Sequence, residues 1–247
     1  MKFTFLGTSH GVPSATRYCT CTMLETGGYV YFIDAGAPLM DILIRRGTDL
    51  TKLRAIFTTH IHGDHTDGLL HFTDLSNWYY RMVSVDIYMT EQRGIEAFTN
   101  AVETVEASTL DRKRLRYHLM TPSTVYEDEN IRVTPIPTAH MKNIGHPSCG
   151  YLIEAEGKKF VFTGDMSGRL EHDDFPKYPM ENEVDLVVSE MAHQSFEQIE
   201  PSIAKLRTKR LYFTHINHDE RFAQAAQASG RYGYPIFCPD DGFEVEI

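Results

Sequence analysis

Six consecutive residues, His60-Ile61-His62-Gly63-Asp64-His65, carry three imidazoles and a carboxylate, and any fold of this chain must supply a scaffold that aims them at one point. Zinc-type ions take imidazole nitrogen and carboxylate oxygen at roughly 2.0–2.2 Å, and a catalytic ion keeps one position open for water or substrate. The apolar, β-leaning run Ala55-Ile56-Phe57 and then Thr58-Thr59 precede the cluster, and Gly63 and Gly68 lie within and just after it. That order predicts a strand running into a loop that carries the ligands. With twelve histidines in 247 residues an isolated His-x-His pair would carry little weight. Four donors directly after a strand carry much more.

The same grammar recurs. Arg132 to Pro137 is strand-like and ends at Thr138-Ala139-His140, Lys159-Phe160-Val161-Phe162 runs into Thr163-Gly164-Asp165, and Leu211-Tyr212-Phe213 runs into Thr214-His215. A sheet that gathers ligands from several strand ends at one edge produces this pattern.

These segments cover most of the chain and resemble the metallo-β-lactamase-fold hydrolases. The opening Phe5-Leu6-Gly7-Thr8-Ser9-His10-Gly11-Val12-Pro13 resembles the ribonuclease Z and phosphodiesterase branch rather than the lactamases. The resemblance implies an α/β fold, the αββα four-layer sandwich, built from two β–α halves that meet near Ser123. It also implies two divalent ions, with zinc expected and manganese or iron as alternatives. One would be held by His60, His62 and His140, the other by Asp64, His65 and His215, with Asp165 bridging them. Two cations about 3.5–4 Å apart can share a hydroxide and hold both the attacking and the leaving oxygens of a phosphoryl displacement. Asp64 is then placed to orient the nucleophilic water.

A leaving alkoxide needs a proton, and histidine is the usual donor near neutral pH. His193 follows the apolar strand Leu186-Val187-Val188 and Ser189-Glu190 and stands 22 positions before His215, about where the resemblance implies a catalytic histidine. Glu190 is the residue expected to orient it; a capping role at a helix start is the alternative. For substrate contacts the candidates are His10, His146, Ser148 and His218 around the pocket mouth. A surface-loop histidine is the competing reading of His146, and His71, His118 and His172 read as ordinary surface or core-edge residues.

Coarse patterning gives strands at about 2–6, 20–25 and 29–34, a helix at about 38–46 ended by Gly47, a mixed aromatic segment around 69–82, a strand at about 84–89 and a helix at about 91–107. The second half reads as strands at about 131–136, 149–155, 159–163 and 184–189, a helix at about 196–207, a helix with Phe222, Ala225 and Ala226 on one side, and a closing strand at about 243–246. With 42% apolar residues and no Pro/Gly/Ser-rich linker, a single catalytic domain over 1–247 is expected.

Met1-Lys2-Phe3-Thr4-Phe5 enters a strand at once, with no long apolar segment, so a cytoplasmic protein without membrane contact is expected. Cys19, Cys21, Cys149 and Cys238 form no disulfide framework. Cys19 and Cys21 read as reduced strand cysteines, with a structural zinc as the alternative.

Charge separates the substrate classes. The chain carries a formal −10 at pH 7, whereas a nuclease gains affinity from a broad positive surface through phosphate contacts and counterion release. Basic runs at Arg112-Lys113-Arg114 with Arg116, and at Lys205, Arg207, Lys209 and Arg210, read as solvated faces. The glycine- and proline-rich arm with which ribonuclease Z grips transfer RNA has no counterpart in the sequence. A small phosphodiester, such as a cyclic nucleotide, is therefore the expected substrate, with Trp78, Tyr79 and Tyr80 as a stacking wall or as core packing. The alternatives are a ribonuclease Z-like endonuclease, a lactone or carboxylic-ester hydrolase, and a metal-dependent sensor without turnover. Homodimerisation is implied by the resemblance alone.

Overall fold

In the computed structural model, which describes residues 1–169, 173–216 and 219–247, the N-terminal strands are buried on both faces. The first three are β1 (Lys2–Gly7), β2 (Cys21–Thr26) and β3 (Tyr29–Ile33). Phe3, Phe5, Leu24 and Tyr31 enter one core, while Leu6, Met23, Val30 and Phe32 enter another. Side chains alternate across a strand, so this division places a packed layer on each side of the sheet.

The first half continues with α1 (Leu39–Arg46), β4 (Leu53–Phe57), α2 (Gly63–Trp78), β5 (Val85–Met89), α3 (Gln92–Val105) and β6 (Leu115–Leu119). The second half comprises β7 (Tyr126–Glu127), β8 (Ile131–Thr138), β9 (Ser148–Ala155), β10 (Lys158–Phe162), α4 (Tyr178–Glu181), β11 (Leu186–Glu190), α5 (Phe196–Ile203), β12 (Leu211–Thr214), α6 (Asp219–Gln227), β13 (Ile236–Phe237) and β14 (Phe243–Glu246). Two seven-stranded sheets result, ordered β14-β1-β2-β3-β4-β5-β6 and β13-β12-β11-β10-β9-β8-β7. Each has three consecutive antiparallel pairings, from the β14 edge of the first sheet and the β7 edge of the second, followed by three parallel ones. The two sheets therefore share one pairing pattern; the chain crosses from the first to the second around Ser123 and returns to the first after β13, with β14.

The sheets face each other across a core that includes Phe3, Phe57, Tyr151, Phe160 and Tyr212; Phe3 meets Phe160 edge to face with ring centroids 4.9 Å apart. Leu39, Leu43, Leu69, Phe72 and Val102 cover the outer face of the first sheet, and Phe196, Ile199, Ile203 and Ala225 that of the second. This is the αββα four-layer sandwich.

Helix α1 ends where the sequence indicated. Gly47 adopts φ +66°, and its N–H donates to Ile44 O at 3.0 Å while that of Thr48 donates to Leu43 O at 3.0 Å. Other boundaries move. The segment expected as a ligand loop followed by mixed aromatic chain is largely α2, which begins inside the ligand cluster with His62 as its N-cap. The helix expected to reach about 207 ends at Ile203 with Ala204 as its C-cap, and Leu206 turns in to the second outer core. Strand β8 runs on to Thr138 through Pro135 and Pro137. It tolerates them because its outer neighbour β7 is only two residues long and pairs with Arg132 and Val133, so no ladder bond is lost beyond that point. Among the described residues no helix is long and apolar enough to cross a membrane.

Candidate metal centre

The ends of the strands deliver the site. After β4, Thr59 and His60 are buried and His62 opens α2, so that Asp64 and His65 occupy its first turn. That turn is stitched to the end of β3: Ala35 N–H donates to His65 O at 2.8 Å, and a Cβ on Gly36 would stand 2.3 Å from Asp64 O. Only glycine permits that approach. From the second half come His140 after β8, Asp165 after β10, His193 after β11 and His215 after β12. His215 has φ +51°, a left-handed conformation held by few non-glycine residues and concentrated at functional sites.

All seven predicted ligands meet around Asp165, which is 3% exposed. Its Oδ2 lies 3.7 Å from His60 Nε2, 3.3 Å from His65 Nε2 and 3.7 Å from His140 Nε2, while its Oδ1 lies 3.6 Å from His215 Nδ1. On one side His62 Nδ1 sits 2.9 Å from His60 Nε2 and 3.3 Å from His140 Nε2. On the other, Asp64 Oδ2 sits 3.3 Å from His65 Nε2 and 3.0 Å from His215 Nε2. Among the groups of possible donors in the described residues are His60/His62/His140 and Asp64/His65/His215, each with its donor atoms within 4.8 Å of one another; others join Asp165, His193 or Glu190 to these histidines.

Supporting contacts turn the donor atoms inward. His65 Nδ1 lies 2.8 Å from Asp34 Oδ2, and His140 Nδ1 lies 3.3 Å from Met166 O, which leaves Nε2 of each ring facing the site. Asp34 is 4% exposed and also accepts from Thr59 N–H at 2.7 Å and Thr59 Oγ1 at 3.1 Å. Asp174 accepts from Ala139 N–H at 2.8 and 2.7 Å and from Ser167 N–H at 2.8 Å, tying the His140 and Asp165 loops together. Sequence reasoning missed both carboxylates. Asp34 had a signal, since it follows the apolar strand Val30-Tyr31-Phe32-Ile33 by the same rule that singles out Asp165; Asp174 sits in irregular chain and had none.

Burial holds the His60, His62 and His140 imidazoles below their ordinary range, well below for His60, so each is neutral and keeps a lone pair. Burial opposes charge at His65 as well, but Asp165 and Asp34 outweigh it and lift that ring well above the ordinary value. Burial would raise Asp64 and Asp165, yet the surrounding histidines hold both carboxylates well below the usual range. Among the described residues the buried His65 Nε2 and His215 Nδ1 have no partner at hydrogen-bond geometry. Orphaned buried nitrogens around a pair of anionic carboxylates are what a cation site leaves when described through its protein atoms alone. The donor set fits divalent metal ions.

His193 stands beside this centre, edge-on to His140 with centroids 4.4 Å apart and stacked with His215 at 5.7 Å. Its Nδ1 lies 3.2 Å from Glu190 Oε1, and the Glu190 carboxylate also accepts from the N–H groups of Met166, Ala192 and His193. Burial lowers the His193 imidazole, but the Glu190 bond and Asp165 outweigh it and push it up to about 9.

The substrate candidates fare differently. His10 is half-buried in the first loop, next to Gly11, whose Cβ position lies 3.6 Å from Asp64 Oδ2. Ser148 Oγ bonds Thr138 Oγ1 at 2.8 Å, and His146 pairs tightly with Glu91 at the start of α3, so both side chains are engaged in fixing the 138–148 loop. His218, like His172, lies outside the described residues. Trp78 and Tyr79 are exposed at the far end of α2, about 20 Å of helix from Asp64 at 1.5 Å per residue, and form no wall of this site. Cys19 and Cys21 are free and buried, and burial raises both thiols, well above the ordinary range for Cys21. Among the described residues neither joins a group of three possible metal donors.

The profile of the family described as "Anti-Pycsar protein Apyc1" matches residues 1–234. The chain belongs to the Apyc1 family. The Apyc1 match takes in every candidate ligand, from His60 to His215. Ribonuclease Z of Methanothermobacter thermautotrophicus is 32% identical over 140 residues, 57% of this chain and 45% of that protein. The chain thus spans about half the length of the curated ribonuclease Z relatives it matches. Human tRNase Z, short form, superposes with a TM-score of 0.77 at 20% identity, covering 100% of this chain and 99% of its own. The metallo-beta-lactamase fold protein YhfI of Bacillus subtilis gives 0.77 at 18% identity, covering 100% and 98%. The fold of this Apyc1-family chain is the metallo-β-lactamase fold.

Proposed function

We propose that this protein is a dinuclear metal-dependent phosphodiesterase acting on a small phosphodiester, with cyclic nucleotides as the leading substrate class. The observation that carries the reading is the convergence of two three-donor groups on one buried carboxylate, Asp165, with the His193–Glu190 pair directly beside them. His60, His62 and His140 would hold one ion, Asp64, His65 and His215 the other, with Asp165 between them. Bound there, two divalent ions would acidify water and stabilise the charge of a phosphoryl group in displacement.

The chain's own side chains account for the rest. Asp64, anionic and lodged between His65 and His215, is positioned to accept a hydrogen bond from the attacking water. Glu190 engages Nδ1 of His193, so Nε2 is the nitrogen left to donate a proton to the departing oxygen. Charge and pairing favour a small substrate. The net charge is −10, and much of the basic character is already spent: Arg112 on Glu103, Arg114 on Asp111, Arg116 on Asp86, Arg207 on Glu183 and Lys209 on Asp185.

The test is hydrolysis of bis(p-nitrophenyl) phosphate and of cyclic mononucleotides by metal-reconstituted protein, with Asp165→Ala and His193→Ala alongside and metal content measured for each. Loss of metal and of all turnover from Asp165→Ala, and loss of cyclic-mononucleotide turnover with metal retained in His193→Ala, is the expected result. A fully loaded wild type that cleaves lactones and no phosphodiester would overturn the proposal. The second reading, a ribonuclease Z-like endonuclease, is favoured by the 32% identity to ribonuclease Z; cleavage of precursor transfer RNA in preference to small diesters would establish it.

A further inference from the structure

Between β11 and α5 the chain makes a tight turn, Met191 to Ser195, that carries His193. Its N–H groups face one way: those of Ala192 and His193 donate to Glu190 Oε2 at 2.6 and 3.1 Å. Its carbonyls face another. Arg221, half-buried on α6, points one nitrogen, Nη1, at three of them: Met191 O in a very close contact, Ala192 O at 2.7 Å and Gln194 O at 3.3 Å. The turn is thus gripped between an anion on its donor side and a cation on its acceptor side, the arrangement that best satisfies oriented peptide dipoles. A third contact, Gln194 Nε2 to Ser167 O at 2.6 Å, anchors the turn to the Asp165 loop.

We propose that Arg221 is a positioning residue for His193, holding the 191–195 turn so that the imidazole stays aligned with both Glu190 and the reacting phosphate. Arg221 acts from a helix that supplies no metal donor in this scheme, and it reaches the imidazole only through backbone carbonyls. A general acid must sit within hydrogen-bond distance of the oxygen it protonates, so a small drift of the turn is felt in the proton-transfer step before it is felt in binding. The inference rests on the reading of His193 as the leaving-group proton donor.

That chemistry supplies a discriminating test. Cleavage of a phosphate–alkoxide bond needs the proton, because a free alkoxide is a poor leaving group. Release of p-nitrophenolate does not. His193→Ala should lose ~10²–10³-fold in kcat on an alkoxide-leaving diester such as a cyclic mononucleotide, and under ~10-fold on bis(p-nitrophenyl) phosphate. Arg221→Met, which keeps the stem and removes the cation, should lose about 10-fold or more on the first substrate and under ~3-fold on the second, with KM unchanged. In the double variant the two losses should not multiply. Because all three contacts come from one nitrogen, Arg221→Lys should recover most of the activity, as an ammonium offers three donors.

Metal content, thermal midpoint and hydrogen exchange at the Ala192 and His193 amides complete the set. Exchange about tenfold faster in Arg221→Met at unchanged metal content is expected, and unchanged exchange overturns the clamp whatever the kinetics. Equal losses on both substrates, or losses that multiply with His193→Ala, overturn the positioning role. If Arg221→Met does not fold, the comparison is made with Arg221→Gln under the same criteria. A wild type inactive on both diesters defeats the phosphodiesterase reading, and the positioning role with it, while the exchange experiment still decides the clamp by itself.

Discussion

Replacing Asp34 by Asn probes how far the centre depends on a residue that touches no ion in the proposed scheme. The Asp34 carboxylate accepts from Thr59 N–H at 2.7 Å, Thr59 Oγ1 at 3.1 Å and His65 Nδ1 at 2.8 Å. An Asn of the same shape keeps one acceptor, sufficient for Thr59 N–H, and turns an NH₂ group toward His65. That ring must then carry its proton on Nε2, the nitrogen facing Asp165, where a ligand lone pair is needed. Loss of such an outer partner typically costs 10–100-fold in metal affinity, or ~1.4–2.7 kcal/mol. Asn is the informative choice because Asp34 has φ +61°, a conformation Asn tolerates and Ala resists; Asp34→Ala would also strand the buried Thr59 N–H, at ~1–3 kcal/mol. Affinity is read by competition against a chromophoric chelator, with the thermal midpoint of the metal-free protein measured in parallel. Affinity within ~3-fold of wild type would refute the argument. So would a fall in affinity matched by an equal fall in metal-free stability, since the loss would then be general rather than local to His65.

Asp174→Ala removes the acceptor shared by Ala139 and Ser167; at ~1.5–3 kcal/mol for a bond to a charged acceptor, metal affinity should fall by ~10-fold or more, and Asp174→Asn should restore most of it in the same chelator titration. Metal-free protein should also show a pH signature of His193. Its imidazole is raised from an ordinary 6.5 to about 9 in the folded state, so the folded chain binds more protons between those values. The stability it contributes is therefore full below pH 6.5 and is lost as pH rises through about 9. Urea unfolding of EDTA-treated wild type and His193→Gln across that range should show the slope in the first protein and a flatter one in the second. The buried, depressed His60, His62 and His140 act in the opposite sense, weakening the metal-free fold as pH falls below the ordinary imidazole value.

What could be read from the sequence divides along a physical line. The proposed ligand positions were legible because each is a short polar motif at the end of an apolar strand, a local relation between neighbours in the chain. Asp34 obeys the same relation and could have been found by it. The start of α2 within the ligand cluster was not legible: glycines at positions 63 and 68 read as loop signals, whereas both lie in the helix and Gly68 serves close packing, a Cβ there falling 2.5 Å from Gly36 O. The shared topology of the two sheets lies in pairing order, which leaves no trace in composition. Asp174 and Arg221 mark the limit most clearly. Each acts on backbone groups of segments 7 to 35 residues away, through bonds that any nearby peptide could accept or donate. A ligand is specified by its side-chain chemistry and can be recognised by it, but a residue that positions a ligand through the main chain is specified by geometry alone. The first kind of residue is written in the motif; the second exists only once the strands have brought their loops together.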